Sequence, residues 1–293
     1  MADYPSISLA EESLPVKLRK DPMAKRLSRF PWWFLAIILI ALWTAYAIYS
    51  RENYSEAFGR IIQGLGTTII TALVAYGIAL IFGLLAGLGR ISRNVALNNL
   101  ATLYVELIRG IPMLVLIFFI ALVGVPTVVD GINSLGDWLD GLGVTIVGGI
   151  LTTFNNQAIS MSVRAVIALA VTYGAFLAEI FRAGIQSIGR GQTEAARSLG
   201  MSTGQAMRYV ILPQAIRNVL PALGNDFVAM VKDSSLVSVL AVRDITQVAR
   251  LYAGSTFRFR EAYVTLSVLY LTMTVALSLV VQRLERRLRR HAR

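Results

Sequence analysis

The chain contains no cysteine and only one histidine, and these two shortages exclude several kinds of chemistry. Without cysteine there is no disulfide framework, no thiolate nucleophile and no zinc–sulfur site. The single histidine, His291, is the third residue from the C-terminus and lies in an arginine-rich tail. A catalytic triad base or an imidazole metal cluster is therefore not expected inside the molecule. The sequence predicts neither a hydrolase nor a metalloenzyme, and it predicts no metal ligands.

Charged residues are also scarce, at 15% of the chain, compared with about a quarter in typical soluble domains. Hydrophobic residues make up 56% of the chain, and its mean hydropathy is +0.63. This composition indicates an integral membrane protein. The net charge of +11 could indicate nucleic-acid binding, but the basic residues lie mainly in the terminal tails and in short loops beside apolar segments. That distribution is typical of membrane proteins, so no nucleic-acid partner is predicted.

Six apolar stretches are long enough to cross a bilayer, which takes about 20 residues in a helix. They are Trp32–Tyr49, Ile61–Leu88, Leu100–Val125, Ser162–Ile185, Ile216–Leu240 and Ala262–Val281. The sequence therefore predicts an all-α integral membrane protein with about six transmembrane helices. Its predicted parts are a tail over residues 1–31, a first helix over 32–50, a transmembrane domain over 61–285 and a basic tail over 286–293. Tryptophan and tyrosine residues in the first stretch favour a retained helix over a cleaved signal peptide.

The distribution of lysine and arginine predicts the orientation. Seventeen basic residues lie in the tails and loops on one side of the predicted helices, and six lie on the other side. Because basic residues accumulate on the cytoplasmic side, both termini and the segment around Gly191 are predicted to be cytoplasmic. Of the six basic residues on the opposite side, four lie between positions 241 and 261. This cluster is the weak point of the predicted orientation. The stretch over 126–160 has three aspartates and no lysine or arginine, and we expect an external loop with a short interfacial helix around Trp138.

Small residues at a spacing of four occur at Gly83 and Gly87, and again at Gly174 and Ala178. Such faces let helix backbones approach closely in lipid, because no bulky side chain separates them. The sequence therefore predicts a packed helical bundle.

The segment over residues 186–213 is the longest predicted cytoplasmic connection, and its composition is typical of a docking element. Thr193 can cap a short helix over Glu194–Ala196 and place the glutamate in the positive first turn. Gly200 is a natural helix stop, and Pro213 fits the first turn of a new helix. The alanines keep the helix narrow enough to lie in a groove of another protein. A plain surface helix would have the same features, and that alternative stays open on these residues alone.

The whole string resembles the signature of the permease subunits of binding-protein-dependent ATP-binding-cassette importers. That signature is Glu-Ala-Ala, three residues, Gly, nine residues, Ile, one residue and Leu-Pro. The matching residues, with valine in place of isoleucine, are Glu194, Ala195, Ala196, Gly200, Val210, Leu212 and Pro213. Further segments resemble the polar amino acid branch of the family, namely Glu106–Pro112, Ala178–Arg182, Ile185–Ile188, Leu212–Ala215 and Lys232–Leu236. The resemblance runs from about Gly64 to Leu284.

The resemblance implies a permease subunit, not an enzyme, that moves polar amino acids inward across the bacterial cytoplasmic (inner) membrane. It implies a five-helix core with one added N-terminal helix, two ATPase subunits that grip the Glu194 helix, a second identical or related permease chain, and an extracytoplasmic solute-binding protein. A phosphate-binding loop requires Gly-Lys followed by Ser or Thr, and none of the four lysines follows a glycine. ATP and Mg²⁺ are therefore expected in the partner ATPases, and no cofactor is expected in this chain.

Two acid–base pairs lie near the predicted cytoplasmic ends of the third and fourth helices. They are Glu106 with Arg109 and Glu179 with Arg182, each three residues apart. Charged residues inside a membrane are costly, and each pair can neutralise itself on one helix face. Together they predict a charged collar, which is either a cytoplasmic gate or the seat of the coupling helix, or else a set of structural ion pairs.

The fifth predicted helix carries four polar residues deeper in the bilayer, Asn225, Asp226, Lys232 and Asp233. The two aspartates share one helix face, and the asparagine and lysine share another. A zwitterionic amino acid requires an acceptor for its ammonium group and a donor for its carboxylate, and this helix supplies both. We therefore predict that it lines the substrate pathway. The alternative is that Lys232 and Asp233 pair with neighbouring helices and stabilise the fold.

Two other functions stay open on the residues alone. A secondary transporter would also use charged, glycine-broken helices, although the inverted repeats common in that class are not evident. A membrane anchor that only assembles other proteins would leave the deep charges of the fifth helix unexplained. The sequence does not determine which amino acid is carried, or whether the second permease chain is identical to this one.

Overall fold

The computed structural model describes residues 32–153 and 155–290. In these residues the chain forms helices and no β-strand, which confirms the predicted helical class. The expectations for the tail over residues 1–31 and for His291 lie outside the described residues. The α-helices are α1 (Trp32–Ser50), α2 (Glu52–Ile61), α3 (Leu65–Arg90), α4 (Val95–Gly110), α5 (Met113–Phe119), α6 (Val125–Gly141), α7 (Thr145–Leu151), α8 (Met161–Gln186), α9 (Arg190–Ser198), α10 (Thr203–Ala206), α11 (Leu212–Asp233), α12 (Ile245–Thr256) and α13 (Phe259–Arg290).

The chain divides into two units, residues 1–43 and residues 44–293. The described part of the first unit is the start of α1, where Trp32, Leu39 and Leu42 are exposed. A helix that exposes large apolar side chains in this way is typical of a segment in contact with lipid. The second unit contains the end of α1 and all the later helices.

Four helical segments in the described residues are long and apolar enough to cross a membrane, and Leu35–Ser50 is a shorter apolar helix. The four are Glu52–Arg90, Met113–Gly141, Met161–Gln186 and Phe259–Arg286. The first of them joins α2, a short 3-10 turn and α3 into one segment of 39 residues. About 20 helical residues suffice to cross the hydrocarbon. This segment therefore extends well beyond the bilayer at one end or at both.

The third predicted helix, Leu100–Val125, is wrong as a single element. α4 ends at Gly110, and Ile111 is extended with φ −111° and ψ 137°. Pro112 explains the break, because a proline disfavours the helical conformation at the residue before it and has no backbone N–H. A new helix begins directly after this proline, at the start of α5.

The loop predicted over 126–160 is also wrong as a loop, since most of this stretch is helical, whereas a helix around Trp138 is present as expected. α5 continues through a π-helical turn (Ile120–Gly124) into α6, which includes Trp138, and α7 folds back beside α6. The glycines that favoured a loop instead permit close packing of these two helices. A Cβ atom added at Gly136 would lie only 2.9 Å from the carbonyl oxygen of Gly148.

The fifth predicted helix, Ile216–Leu240, differs from the structure at both ends. α11 already begins at Leu212 and ends at Asp233, after which Ser234–Leu240 forms a 3-10 helix. The Ser234 hydroxyl donates a hydrogen bond to the Val231 carbonyl at 2.8 Å. Such bonds from serine to the backbone compete with the regular helical pattern, which fits the change in helix type at this residue.

The centre of the second unit is the packing of α3 against α8. A Cβ atom added at Gly83 would lie 2.5 Å from Leu177 Cβ and 3.2 Å from the carbonyl oxygen of Gly174. One added at Gly87 would lie 2.9 Å from the Ala178 carbonyl oxygen. The two predicted small-residue faces therefore meet each other, and the prediction of close helix packing is confirmed.

A buried arginine that the sequence did not single out stabilises the π-helical turn. Arg164, only 8% exposed, donates hydrogen bonds to the carbonyl oxygens of Ala121 at 3.0 Å, Asn156 at 2.6 Å and Ile159 at 3.1 Å. Ala121 lies inside the π-helical turn, where the change in helical register disturbs the backbone pattern. The guanidinium thus supplies a donor to the Ala121 carbonyl, which would otherwise be buried without this partner, and to two part-buried carbonyls beside it.

The helices at the other end of α3 from Arg90 form a separate packed cluster. It combines α2, α12 and the first turns of α13 through residues such as Ile61, Ile245 and Leu266. The backbone N–H of Ile245 donates to Thr68 Oγ1 at 3.1 Å, and a Cβ atom at Gly64 would lie 2.5 Å from the Asp244 carbonyl carbon. These contacts hold the start of α12 closely against the segment that joins α2 to α3.

Candidate functional site

The predicted docking helix exists, but it starts earlier than expected. α9 runs from Arg190 to Ser198 with Gly189 before it, and no side chain caps its first turn. The prediction that Thr193 caps this helix is therefore wrong, because Thr193 already lies within the helix. For the same reason Glu194 is not in the first turn. Glu194 and Ala195 are exposed on α9, whereas Ala196 is buried at 3% exposure.

The predicted stop at Gly200 is present, with φ +83°. The N–H of Gly200 donates to the Arg197 carbonyl at 2.9 Å, and the N–H of Met201 donates to the Ala196 carbonyl at 3.2 Å. This is the Schellman pattern, in which a residue with left-handed backbone lets the last helical carbonyls find donors. An L side chain at this position would be strained.

The segment after Gly200 becomes helical before the position expected from Pro213. Ser202 begins α10 with a capping box, in which its hydroxyl accepts from the N–H of Gln205 and the Gln205 side chain accepts from the N–H of Ser202. A π-helical turn (Met207–Ile211) then leads directly into α11, and Pro213 lies in the first turn of α11. The predicted place of Pro213 in the first turn of a helix is therefore confirmed, although the chain is already helical from α10 onward. The Ser-x-x-Gln spacing of the capping box was the available sequence signal.

Side-chain contacts connect this coupling segment, residues 186–213, to the membrane helices. Asn218 on α11 donates to Ser187 Oγ at 3.0 Å. Ile185, Ile211 and Ala215 form a buried apolar cluster against which Val210 packs. The signature residues thus divide between two surfaces, because Glu194, Ala195, Gly200 and Pro213 are exposed whereas Ala196 and Val210 face inward. Leu212 is half-buried.

The charged collar is present, but one of its ion pairs differs from the prediction. Arg182 forms the expected ion pair with Glu179. Glu106 instead pairs with Arg90, whose Nη2 lies 3.1 Å from Glu106 Oε1 and whose Nη1 lies 2.9 Å from Glu179 Oε2. The predicted pair of Glu106 with Arg109 is therefore wrong, because Arg90 at the end of α3 reaches the Glu106 carboxylate across the helix interface.

Arg90 was missed because its role depends on the packing of three helices. It lies at the end of α3 and connects α4, through Glu106, to α8, through Glu179. The side chain of Asn98 also donates to the Arg90 carbonyl at 2.6 Å. A basic residue at a helix end is an ordinary feature in sequence, and no short spacing pointed to these two partners.

The four polar residues of the fifth predicted helix do not form one patch on α11. The Tyr173 hydroxyl on α8 donates to Asp233 Oδ2 at 2.6 Å, and Asp226 Oδ2 is buried without a hydrogen-bond partner among the described residues. Asn225 and Lys232 lie on the exposed side of α11. The aspartates and the pair of Asn225 with Lys232 thus lie on different sides of α11, as their spacing predicted.

Aromatic side chains lie around the two aspartates of α11. Asp226 and Asp233 interact electrostatically with each other and with the Tyr173 side chain. The Tyr76 hydroxyl of α3 donates to the Leu223 carbonyl at 2.5 Å, and its ring lies 4.9 Å from the Phe227 ring. Tyr76 and Tyr173 therefore hold α3 and α8 against the acidic face of α11.

Comparison with known proteins decides the family. Residues 79–290 match the binding-protein-dependent transport system inner membrane components. The chain belongs to that family. It is a transport permease of an ATP-binding-cassette importer and an inner-membrane component, not an enzyme. Importers of this family work in general with ATPase subunits and a solute-binding protein, and the secondary-transporter and anchor alternatives are thereby wrong.

Individual relatives match this chain over almost their own full length. The probable glutamine ABC transporter permease protein GlnM of Bacillus subtilis (strain 168) is 37% identical over 233 residues, which is 80% of this chain and 95% of that protein. The glutamine transport system permease protein GlnP of Escherichia coli (strain K12) is 32% identical over 229 residues, 78% of this chain and 93% of that protein. The crystal structure of an amino acid ABC transporter with histidines matches with a TM-score of 0.64 and 37% identity, covering 82% of this chain and 98% of that chain.

The Arg90 network of the permease can be tested by removing one charge. Arg90→Gln takes away both ion pairs of a side chain that is only 15% exposed, and we expect a loss of about 1 to 3 kcal/mol in stability. Thermal unfolding in detergent measures this as a melting temperature several degrees lower. Arg93→Gln is the matched control, since Arg93 is exposed in the turn after α3. Equal melting temperatures for the two variants would contradict the bridging role of Arg90.

Proposed function

We propose that this permease translocates polar amino acids inward, driven by ATP hydrolysis in partner subunits. The proposal rests on one observation, the exposed α9 helix with Glu194 and Ala195 on its surface and a left-handed Gly200 at its end. A short protruding helix with a fixed end is suited to insertion into a groove of another protein. Relatives named glutamine permeases, at 37% and 32% identity, support an amino acid as the cargo.

We infer an assembly of two permease chains, identical or related, with two ATPases and one solute-binding protein. The polar exposed side of α11 supports a second permease chain. Along this side Asn218, Ala222, Asn225 and Lys232 are exposed, and polar groups at membrane depth face a partner or a water-filled path rather than lipid. A pathway between two such surfaces would place the asparagines and lysine of both chains around the cargo.

The orientation that fits this assembly has both termini and α9 in the cytoplasm, as the distribution of basic residues predicts. ATP and Mg²⁺ would then bind at the partner ATPases, and this chain requires no cofactor of its own. Closure of the ATPase pair would move α9. The hydrogen bond of Asn218 to Ser187 and the packing of Val210 against the cluster that contains Ile185 would pass that movement to α8 and α11. Rigid-body rocking of helices about an interface is an established form of such transitions.

We propose that Asp226, which is half-buried and follows the exposed Asn225 directly, borders this pathway and receives the ammonium group of the amino acid. Its Oδ2 atom is buried and has no hydrogen-bond donor among the described residues, and a buried carboxylate without a donor is costly. A cationic group of the cargo would compensate this cost while it passes. Asp233 is less suited to that role, because the Tyr173 hydroxyl already donates to it.

The function is tested by reconstitution. The permease is placed in liposomes with and without the cognate ATPase and the solute-binding protein, and uptake of labelled glutamine and other polar amino acids is measured. We expect uptake that requires ATP and both partners. Uptake that proceeds without ATP and without either partner would rule the proposal out.

Asp226→Asn tests the cargo contact, because it removes the charge and keeps the size of the side chain. We expect ATP-dependent uptake at subsaturating substrate to fall about tenfold, which corresponds to about 1.4 kcal/mol, with normal insertion into the membrane. Asp137→Asn is the matched control, since it makes the same chemical change at an exposed carboxylate on α6. Wild-type uptake by the Asp226 variant would show that this carboxylate does not contact the cargo.

A further inference from the structure

A cavity of about 710 Å³ lies between α2 and α12, far from the coupling segment. Polar residues that line it include Glu56, Arg60, Gln63, Thr67, Arg243 and Thr256. The space is large enough for an amino acid or for a side chain of another protein. Neither the coupling segment nor the acidic face of α11 contributes to it, so the functions discussed so far leave it unused.

The charges around this cavity are not balanced. Glu56 is the only carboxylate among its lining residues, and it is already paired with Arg258. Arg60 and Arg243 are exposed and form no ion pair with any residue in the described part of the chain. The cavity therefore presents two guanidinium groups without a carboxylate partner, beside the Gln63 amide.

The position of the cavity follows from the length of the helix that carries it. Arg60 precedes Arg90 by 30 residues in one continuous helical segment, which is roughly 45 Å along its axis at 1.5 Å per residue. The hydrocarbon layer is only about 30 Å thick. With the Arg90 end in the cytoplasm, as proposed above, the cavity lies outside the hydrocarbon on the extracytoplasmic side.

Two unpaired arginines on the extracytoplasmic side of a membrane protein are unusual. Basic residues are normally depleted from extracytoplasmic segments, yet the outer segments of this chain hold six arginines, at positions 51, 60, 243, 250, 258 and 260. Arg258 is accounted for by its pair with Glu56. A ligand with negative charge gives a physical reason for keeping Arg60 and Arg243 at one cavity.

We propose that this cavity is a carboxylate-binding subsite on the outer face of the permease, formed by Arg60 and Arg243 with help from Gln63. Guanidinium groups bind carboxylates through paired hydrogen bonds. The carboxylate comes either from the incoming amino acid or from an acidic side chain of the docked solute-binding protein. The proposal rests on the proposed function, since that function sets the orientation and supplies both sources.

The experiment uses the full transporter in proteoliposomes with Arg60→Gln, Arg243→Gln and the control Arg250→Gln. Arg250 is an exposed arginine of α12 that does not line the cavity, so its loss matches the change in net charge. Uptake is measured against the concentration of loaded solute-binding protein at low and at high salt. Thermal unfolding of the solubilised wild-type transporter is followed with the free amino acid and with its amide, which lacks the α-carboxylate.

The two sources give different results, and either one supports the subsite. If the carboxylate belongs to the solute-binding protein, its half-saturating concentration rises about tenfold in both cavity variants, and high salt raises the wild-type value in the same way because exposed charges are screened. If it belongs to the amino acid, that concentration is unchanged, maximal uptake falls about tenfold, and only the free amino acid raises the unfolding temperature.

The proposal is overturned if both cavity variants match Arg250→Gln in half-saturation and in maximal uptake. If a glutamine variant does not insert, the lysine variant at the same position is measured in its place. It keeps the charge but loses the paired geometry, so we expect a severalfold change, and no change would contradict the site. Failure of the proposed function is separate, because it would appear in the wild type as uptake independent of ATP and of the solute-binding protein.

Discussion

Replacement of Gly200 by valine is expected to abolish ATP-driven transport while leaving membrane insertion intact. Gly200 has φ +83°, a conformation that costs an L residue about 1 to 2 kcal/mol and is especially unfavourable for a β-branched side chain. The two capping bonds at the end of α9 would also weaken, at about 1 kcal/mol each. The end of α9 would then rearrange in most molecules, and the helix would no longer present Glu194 and Ala195 in one fixed position.

The matched control is Gly191→Val, at the other end of the same helix. A Cβ atom at Gly191 meets no atom within 4 Å, and its φ is not in the left-handed region. Valine is no worse than glycine inside a helix, so the control is expected to keep at least half of wild-type uptake. Retention of the variant chain with its ATPase partner during purification is measured alongside uptake. Normal transport by the Gly200 variant would mean that α9 does not carry force.

The end of this helix was predictable from sequence, whereas its beginning was not. A glycine after an Ala-rich stretch has one favoured use, the left-handed helix stop, and Gly200 adopts it. Thr193 is a favoured cap residue that is also tolerated inside a helix, and the helix start at Arg190 depends on how α8 ends at Gln186. The residues around Gly200 are enough to predict the helix end, whereas the helix start depends on how the chain leaves α8.

The same contrast applies to the charged residues. Glu179 with Arg182 was found because the partners lie on one helix at a spacing of three. Arg90 and Arg164 were missed because their partners lie on other helices or in a backbone turn. The proline break at Pro112 was a local signal that the apolar composition of Leu100–Val125 concealed. Hydropathy identifies segments of the chain that belong in a membrane, but it does not predict where such a segment bends.

The orientation of the polar residues of α11 could not be predicted without the packed structure. Spacing alone correctly separated Asp226 and Asp233 from Asn225 and Lys232. It could not tell which face turns toward α3 and α8, because both contain polar residues. Tyr173, which donates to Asp233, fixes the acidic face inward. The permease therefore turns Asp233 into its own bundle, keeps Asp226 half-buried, and leaves Lys232 on the exposed side.

Replacement of Gly83 by valine is expected to prevent the second unit from folding. The added Cβ would lie 2.5 Å from Leu177 Cβ and 3.2 Å from the Gly174 carbonyl oxygen, so α3 and α8 would have to separate along their whole contact. Overpacking of this kind usually costs about 1 to 3 kcal/mol where side chains can adjust, and a backbone neighbour cannot adjust without moving its helix. Fluorescence-detected gel filtration in detergent is expected to show less than a tenth of the wild-type monodisperse peak.

Gly77→Val provides the comparison within the same helix, six residues before Gly83 and on an exposed face. A Cβ atom at Gly77 meets nothing within 4 Å, so valine there is expected to give a wild-type elution profile. The pair separates helix packing from helix propensity, because both variants make the same change in α3. If Gly83→Val also eluted normally, the small-residue contact between α3 and α8 would not be what holds these helices together. The movement that α9 is proposed to pass to α8 would then not extend to α3, since helices that tolerate a gap between them do not move as one body.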